Sequence, residues 1–164
     1  MKKPIYRSGE FSVAIACFCV LVFVGCSDGR LPTEHVTGTV TLDGQPLADA
    51  QIFFNPVEGG IPAHGWTNEQ GVYLITAMQG GGTGAGTVPG DYVVTVTKIE
   101  VTLAPDGESG TTTHLLPPIY RVTDQSPLRA TVVKGRNRFD FELQSVPDIE
   151  FKPPPGWFGN QGGR

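Results

Sequence analysis

The chain has 164 residues, a net charge of −4 at neutral pH, 22 glycines and 14 prolines. Its length is sufficient for one domain with a sizeable core. Its acidic and unpatterned charge argues against nucleic-acid binding and against a polybasic contact with a membrane surface. Abundant Gly and Pro, together with Val and Thr, are typical of short strands joined by many turns.

The N-terminus has the pattern of a secretory leader. An apolar run over residues 11–24 follows the basic residues Lys2, Lys3 and Arg7, and polar residues close it on both sides. A membrane-spanning helix needs about 20 apolar residues, whereas the hydrophobic region of a leader needs only about 7 to 15. The run therefore indicates a segment that is removed and takes no part in the fold.

Residues 21–27, Leu-Val-Phe-Val-Gly-Cys-Ser, resemble the lipobox of bacterial lipoproteins. The resemblance implies that Cys26 is acylated with palmitate-type chains and becomes the N-terminus of the mature protein. It also implies attachment to a bacterial membrane, facing the periplasm or in the outer membrane. Stable attachment requires more than one acyl chain, since each buried methylene contributes about 0.8 kcal/mol. Two alternatives remain open: an uncleaved anchor, and ordinary cleavage near Gly25 or Ser27 without lipid.

The predicted domain plan follows from this leader. Residues 1–25 are the signal peptide, 26–34 a tether, 35–146 the domain, and 147–164 a tail rich in Pro and Gly. Removing the leader takes the net charge from −4 to −6, because three basic residues and one acidic residue leave with it. It also removes Cys17 and Cys19, so no disulfide is expected within the mature chain.

Alternation of apolar and polar residues predicts about seven short strands in the domain. They are expected over residues 35–42, 50–54, 61–67, 72–76, 91–99, 128–133 and 137–143. Asp43-Gly44 is a hairpin signal, and Gly135 predicts a hairpin between the last two strands. No segment has a helical period, so we expect an all-β, antiparallel sandwich.

The inward-facing positions of these strands predict the core. They are Val36, Val40, Leu42, Ile52, Phe54, Tyr73, Ile75, Tyr92, Val94, Val96, Val132, Phe139, Phe141 and Leu143. Trp66 and Tyr73 flank one predicted turn, and we expect both to fill the core. The alternative is that these aromatic side chains stack on a sugar or on a partner protein.

Three segments interrupt the strand pattern. Residues 77–90 are rich in glycine but lack the G-K-[ST] ending of a phosphate loop, and residues 100–127 are long and polar, so we expect loops at both. The tail has three consecutive prolines followed by Trp157 and Phe158. We expect it to lie outside the sandwich, to be dispensable for folding and to contact a partner through its aromatic residues. The alternative is that these aromatic residues dock on the domain itself.

Several motifs resemble a known family. Residues 36–52, V-T-G-T-V-T-L-D-G-Q-P-L-A-D-A-Q-I, resemble the opening of carboxypeptidase regulatory-like domains. T-N-E-Q-G-V-Y at 67–73 and P-G-D-Y-V-V at 89–94 follow in the family's order, with Asn68 in place of the usual Asp. Residues 117–120, 126–128 and 134–143 are similar to small lipoproteins of planctomycete bacteria. The resemblance implies a transthyretin-like, Greek-key sandwich, in which Gly38 and Gly71 occupy places where the backbone bends or approaches closely.

No constellation in the sequence predicts catalysis. His35, His64 and His114 lack ligand spacing, so no metal site is predicted, and there is no G-x-S-x-G motif or cofactor motif. The transthyretin-like fold also includes hydroxyisourate hydrolases that end in Tyr-Arg-Gly-Ser, but here Tyr120-Arg121 is internal and followed by Val-Thr. The only predicted site residue is Cys26.

We therefore expect a non-enzymatic binding or structural module of the cell envelope. Its expected contacts are the membrane, through the lipid, and an envelope protein or a glycan. The alternative is an accessory carbohydrate-binding module, or a hydrolase whose site lies in the loops 77–90 and 100–127. The hydrolase requires these loops to converge on one end of the sandwich and enclose a polar pocket.

Overall fold

The computed structural model describes residues 31–79, 82–105 and 110–157, with the backbone alone for 78–79 and 82–85. This part of the chain contains no α-helix, one 3-10 turn (Pro118–Tyr120) and thirteen strands. The strands are β1 (Val36–Leu42), β2 (Gln45–Pro46), β3 (Gln51–Pro56), β4 (Ala63–Trp66), β5 (Val72–Leu74), β6 (Thr76–Gln79), β7 (Gly82–Ala85), β8 (Gly90–Thr97), β9 (Ile99–Leu103), β10 (Gly110–His114), β11 (Arg129–Val132), β12 (Asn137–Arg138) and β13 (Phe141–Leu143). The all-β prediction is confirmed.

The larger of the two main sheets has six strands in the order β11-β8-β3-β4-β6-β7, and all neighbours are antiparallel. Its centre is the pairing of β3 with β8, which extends from Gln51 opposite Thr97 to Pro56 opposite Tyr92. Side chains alternate along both strands, so Ile52, Phe54, Val94 and Val96 are buried on one face.

The second sheet is built around β1. Strands β5 and β2 pair with it antiparallel, whereas β12 and β13 pair with it in parallel. This sheet is therefore mixed, not purely antiparallel as expected. The chain reaches it from β11 by crossing from the six-stranded sheet, so the last strands arrive alongside β1 running in the same direction.

The core lies between these two sheets. Phe54 of β3 is at its centre, with ring centroids 6.3 Å from Tyr73 of β5 and 6.4 Å from Phe141 of β13. Of the predicted core residues, Leu42 and Phe139 are partly buried against the core and all the others are buried. The core also contains residues that the prediction missed: Leu47, Ala50, Ala63, Ala77, Leu116, Ile119, Tyr120 and Ala130.

The turns predicted from local chemistry are present. Asp43 (φ 49°) and Gly44 (φ 79°) form the two-residue turn that pairs β1 with β2. In the turn before β5, the Asn68 side chain accepts hydrogen bonds from the backbone N–H groups of Gln70 and Val72. Gly38 lies where a Cβ would come within 1.7 Å of the Phe139 carbonyl oxygen, so only glycine fits there.

The predicted hairpin between residues 128–133 and 137–143 is wrong. β11 belongs to the six-stranded sheet and β12 and β13 to the other, so the turn around Gly135 is a crossover. The buried side chain of Asn137 holds it, accepting from the Val133 N–H (2.9 Å) and donating to the Val133 carbonyl (2.8 Å). These hydrogen bonds hold the crossover in place, and β11 does not pair with β12 or β13.

The two segments expected to be loops contain regular structure. Residues 77–90 include β7 and most of β6, which pair at the edge of the six-stranded sheet. Residues 100–127 include the 3-10 turn and most of a two-stranded ribbon, β9–β10. Every residue of β9 and β10 is exposed, whereas Leu116, Ile119 and Tyr120 after the ribbon belong to the core. The second segment therefore leaves the domain and then returns to close its core.

The described part of the tail forms no strand, but it does contact the domain. Phe151 is partly buried against the core, and its ring meets that of Trp157 edge-on at 5.2 Å. The Gln125 amide bonds both backbone groups of Lys152, accepting from its N–H at 2.8 Å and donating to its carbonyl. The described tail thus lies outside both sheets, as expected, while Phe151 covers part of the core, because an aromatic side chain that can reach apolar surface is stabilised by covering it.

Candidate ligand-binding face

Cys26, the one site residue predicted from the sequence, lies outside the described residues, as does Phe158. The described part of the chain contains no helix long and apolar enough to cross a membrane.

One face of the six-stranded sheet points away from the core and is partly open: Trp66 is exposed on it, whereas Thr95 is buried. Positions alternate along its strands, so the residues between the core positions of β3, β4 and β8 point away from the core. Strand pairing places His64 and Thr95 on either side of Phe53, and Trp66 and Thr97 on either side of Gln51. We call this set the aromatic face: Gln51, Phe53, His64, Trp66, Thr95 and Thr97.

Trp66 is the most prominent residue of the aromatic face. It is 59% exposed, whereas Tyr73 across the same turn is 1% exposed. The expectation that both fill the core is right for Tyr73 and wrong for Trp66. Gly65 is the core-facing neighbour of Trp66, and a Cβ there would lie 2.3 Å from the Leu74 carbonyl oxygen. The alternation from Ala63 to Trp66 therefore places the indole outside, a signal that was present in the sequence.

The other residues of the aromatic face are rings and uncharged polar side chains. The Phe53 and His64 rings lie 6.0 Å apart at a tilt of 36°. The Asn55 amide donates to the Thr95 hydroxyl at 3.3 Å and to the Val93 carbonyl at 3.2 Å, which fixes the strand pair beneath the face. The set contains no Asp, Glu, Lys or Arg. Such a surface offers an aromatic platform flanked by amide and hydroxyl groups.

A groove lies at the opposite end of β8. Its volume is about 290 Å³, and it is lined by apolar residues such as Pro56, Ile61 and Tyr92 with the carboxylates Glu58 and Asp91. Segment 77–90 contributes Val88, Pro89 and Gly90, but no residue of 100–127 lines the groove. The β9–β10 ribbon instead follows the Thr97 end of β8. Among the described residues, this groove is therefore lined by only the first of the two segments.

The three histidines are distributed over the domain. His35 precedes β1, His64 lies in β4 and His114 ends β10. Within the described residues, no three His, Cys, Asp or Glu side chains come together in a group that could hold a metal ion.

Comparisons with known proteins give little beyond the structure itself. No family model matches the chain, and no curated protein matches it. Among solved structures, the chain is similar to a DUF3823 family protein from Parabacteroides merdae, at 16% sequence identity and a TM-score of 0.37. The alignment covers 70% of this chain and 47% of that one, so this chain spans about half the length of that protein.

Proposed function

We propose that this protein is a non-enzymatic binding module of the bacterial cell envelope, anchored through lipid on Cys26 and contacting its ligand through the aromatic face. The observation that carries the proposal is the exposure of Trp66 on a regular sheet face. A tryptophan in contact with water keeps a large apolar area hydrated, and aromatic residues of this kind are favoured at binding surfaces.

The anchor is the second part of the proposal, and it rests on the sequence. Basic residues, a short apolar run and a small residue before Cys26 are the elements of a lipoprotein leader. The described domain begins a few residues later, with the isolated bridge of Glu34 to Thr87 and then β1. A short tether would hold the domain close to the membrane that carries the lipid.

The finer fold class also belongs to the proposal. We assign the sandwich to the transthyretin-like, Greek-key class of carboxypeptidase regulatory-like domains, and the chain to planctomycete-type lipoproteins. Supporting features are the Asp43-Gly44 turn after the first strand, the Asn68–Gly71 turn and the strand that begins Gly90-Asp91-Tyr92. Each occurs in the order of the motifs that carry the resemblance.

A neutral glycan is the ligand class that the aromatic face suits best. Sugars combine apolar C–H faces with hydroxyl groups, and the face combines the rings of Trp66, Phe53 and His64 with the side chains of Gln51 and Thr97. The absence of formal charge in this set favours an uncharged ligand over an acidic or basic peptide. An envelope protein that presents a flat polar surface is the competing partner.

The hydrolase alternative receives no support from the arrangement of the described residues. It requires segments 77–90 and 100–127 to enclose one polar pocket. The groove that holds Glu58 and Asp91 is lined by only one of them.

Substitution of Trp66 tests the face. Trp66→Ala should weaken binding to purified peptidoglycan or neutral polysaccharide by about tenfold or more, since aromatic hot spots contribute about 2 kcal/mol or more. The urea midpoint should stay nearly unchanged because the side chain is exposed. Leu74→Ala, an exposed apolar residue of the other sheet, is the matched control. If the parent and Trp66→Ala bind every polysaccharide equally, the ligand is not a glycan. If both also bind envelope proteins equally, the aromatic face is not the binding site.

Substitution of Cys26 tests the anchor. Cys26→Ser should release the protein from the membrane fraction or leave an unprocessed precursor, because sulfur is the site of acylation. Detergent phase partitioning and the mass of the mature chain report the outcome. Cys19→Ser, within the leader, is the control for loss of a thiol. Normal maturation and unchanged partitioning of Cys26→Ser would show that the chain is not held by lipid at this residue.

A further inference from the structure

The returning tail builds a second small site at the end of the 3-10 turn. Arg121 follows that turn, and its guanidinium carbon lies 5.0 Å from the centroid of the Trp157 ring. Phe151 meets the same indole edge-on, and two hydrogen bonds between the Gln125 side-chain amide and the backbone of Lys152 hold the tail in register. The indole and the guanidinium are therefore fixed by the fold in a cation–π pair.

Arg121 has an unusual deficit of partners. Its Nε is the only buried side-chain nitrogen or oxygen atom in the described residues that lacks a hydrogen bond. No carboxylate of the described residues forms an ion pair with Arg121. Its two Nη groups reach solvent and have no hydrogen-bond partner among the described residues. Buried polar groups are normally paired, and arginine normally faces a carboxylate when it is partly desolvated.

The surroundings make this positive charge conspicuous. Burial lowers the pKa of Arg121, although arginine remains charged at neutral pH. Partial desolvation and the nearby charge of Arg121 lower the pKa of His114 below its ordinary value. Arg121 thus places a positive charge beside Trp157, in a chain whose net charge is negative.

We propose that Arg121 and Trp157 form a binding site for a single carboxylate, carried by an acidic glycan such as a uronic acid. The two Nη groups offer a planar fork for the two carboxylate oxygens, and the indole and Phe151 supply apolar walls for the sugar that carries it. Arg121 follows a 3-10 turn and Trp157 lies in a segment without strand, so the site offers an extended peptide no strand edge for pairing.

This site is distinct from the aromatic face, because it involves none of the strands that carry Trp66. Trp66→Phe leaves Trp157 as the only tryptophan of the chain, so that its fluorescence reports on the Arg121 site alone. A loss of binding at one site leaves the other measurable. The two proposals therefore fail or succeed independently.

The experiment is a fluorescence and calorimetric titration of the Trp66→Phe protein with galacturonate oligomers. We expect a saturable change, and an affinity about tenfold lower in the added variant Arg121→Gln, since charge-assisted bidentate bonds contribute about 1.5 to 3 kcal/mol. Arg121→Lys keeps the charge but loses the fork, and should show a smaller but measurable loss. Arg136→Gln, which removes an exposed charge elsewhere, is the matched control and should bind as the parent does.

Several outcomes would overturn the proposal. They are the absence of any saturable signal, equal affinities with and without the Arg121 guanidinium, and the same change with sodium chloride at matched ionic strength. Tighter binding of inorganic phosphate would overturn the carboxylate assignment, and tighter binding of an acidic peptide would overturn the glycan assignment. If Arg121→Gln lowers the thermal transition, the affinities of Arg121→Lys and Arg136→Lys are compared instead. Weaker binding by Arg121→Lys supports the proposal, and equal affinities overturn it.

Discussion

At the scale of single residues, Asp140 shows how an exposed side chain can substitute for missing backbone pairing. The ladder along β1 breaks between β12 and β13, and there Asp140 Oδ1 accepts from the Thr39 N–H (2.8 Å) and hydroxyl (2.7 Å). Its Oδ2 accepts from Arg138 Nε at 3.0 Å. The hydrogen bond from the Thr39 side chain, followed by that from Arg138, lowers the pKa of Asp140. The carboxylate thus joins the first strand to the last.

Asp140 should make stability depend on pH in the acid range. Because its folded pKa lies below the unfolded value of about 3.9, its contribution is present above that value and is lost as pH falls through the folded pKa. In Asp140→Asn this contribution is absent at every pH, so the difference in urea midpoint from the parent should shrink between about pH 6 and about pH 3. Glu142→Gln, which removes an exposed carboxylate without a hydrogen-bond partner in the described residues, is the control. A difference that stays constant over this range would contradict the assignment.

At the scale of elements, the β9–β10 ribbon is separable from the rest of the domain. All of its described side chains are exposed, and its strands pair only with each other. Beyond this pairing, the Leu115 N–H donates to the Lys98 carbonyl at its base. A two-stranded hairpin is marginally stable in water by itself, so the ribbon contributes little to the free energy of unfolding of the domain.

Replacing residues 99–114 by a short Gly-Ser turn should therefore change the free energy of unfolding by less than about 1 kcal/mol. The measurement is a urea titration beside hydrogen exchange, in which the ribbon amides of the parent should exchange fastest among the strands. The control lies in the same connecting segment, where Ile119→Ala removes a buried side chain and should cost about 2 to 5 kcal/mol. A large loss on removing the ribbon would show that it supports the core.

At the scale of the whole molecule, the sandwich is completed by segments that belong to neither sheet. Ile119 and Tyr120 of the 3-10 turn are buried in the core, and the Tyr120 hydroxyl accepts from the Gln144 N–H at 3.0 Å. Phe151 covers the core from the tail. The domain therefore extends beyond its last strand, and residues up to Trp157 contribute to its stability.

Deleting residues 147–164 should consequently lower the thermal transition by at least about 4 °C, since uncovering apolar surface of this size costs about 1 to 2 kcal/mol. Phe151→Ala should reproduce most of that loss. Deleting residues 158–164 alone retains both Phe151 and Trp157 and serves as the matched control. If the thermal transition does not move after the deletion of residues 147–164, the tail is dispensable for folding.

The sequence predicts best where structure is set by neighbouring residues. The Asp43-Gly44 turn, the Asn68–Gly71 turn and most of the core follow from turn chemistry and period-two alternation, which act over a few residues. Local patterns do not predict to which sheet a strand belongs. The chain changes between the two main sheets four times, from β2 to β3, from β4 to β5, from β5 to β6 and from β11 to β12. Alternation within a strand gives no sign of these changes.

The candidate sites were harder to predict for the same reason. Alternation from Ala63 to Trp66 contains the information that the indole faces outward, but it is decisive only once Gly65 is known to pack against Leu74. The meeting of Arg121 with Trp157 depends on the return of the tail over 35 intervening residues, which no local pattern encodes. In the ribbon, β9 alternates between apolar and polar residues, but both of its faces are exposed. Predictions from alternation depend on one face being buried and the other exposed.

The parallel pairing of β1 with β12 and β13 has a mechanical consequence. Tension applied through the chain before Leu31 and through the chain after Leu143 would act along the strand axes and in opposite directions. It would load the bonds from Asn137 N–H to His35, from Phe139 N–H to Thr37 and from Asp43 N–H to Leu143 together, in shear, rather than one after another as in unzipping. The Asp140 bonds to Thr39 lie in the same row. A domain pulled at its two ends would therefore resist force along the pairing of β1 with β12 and β13.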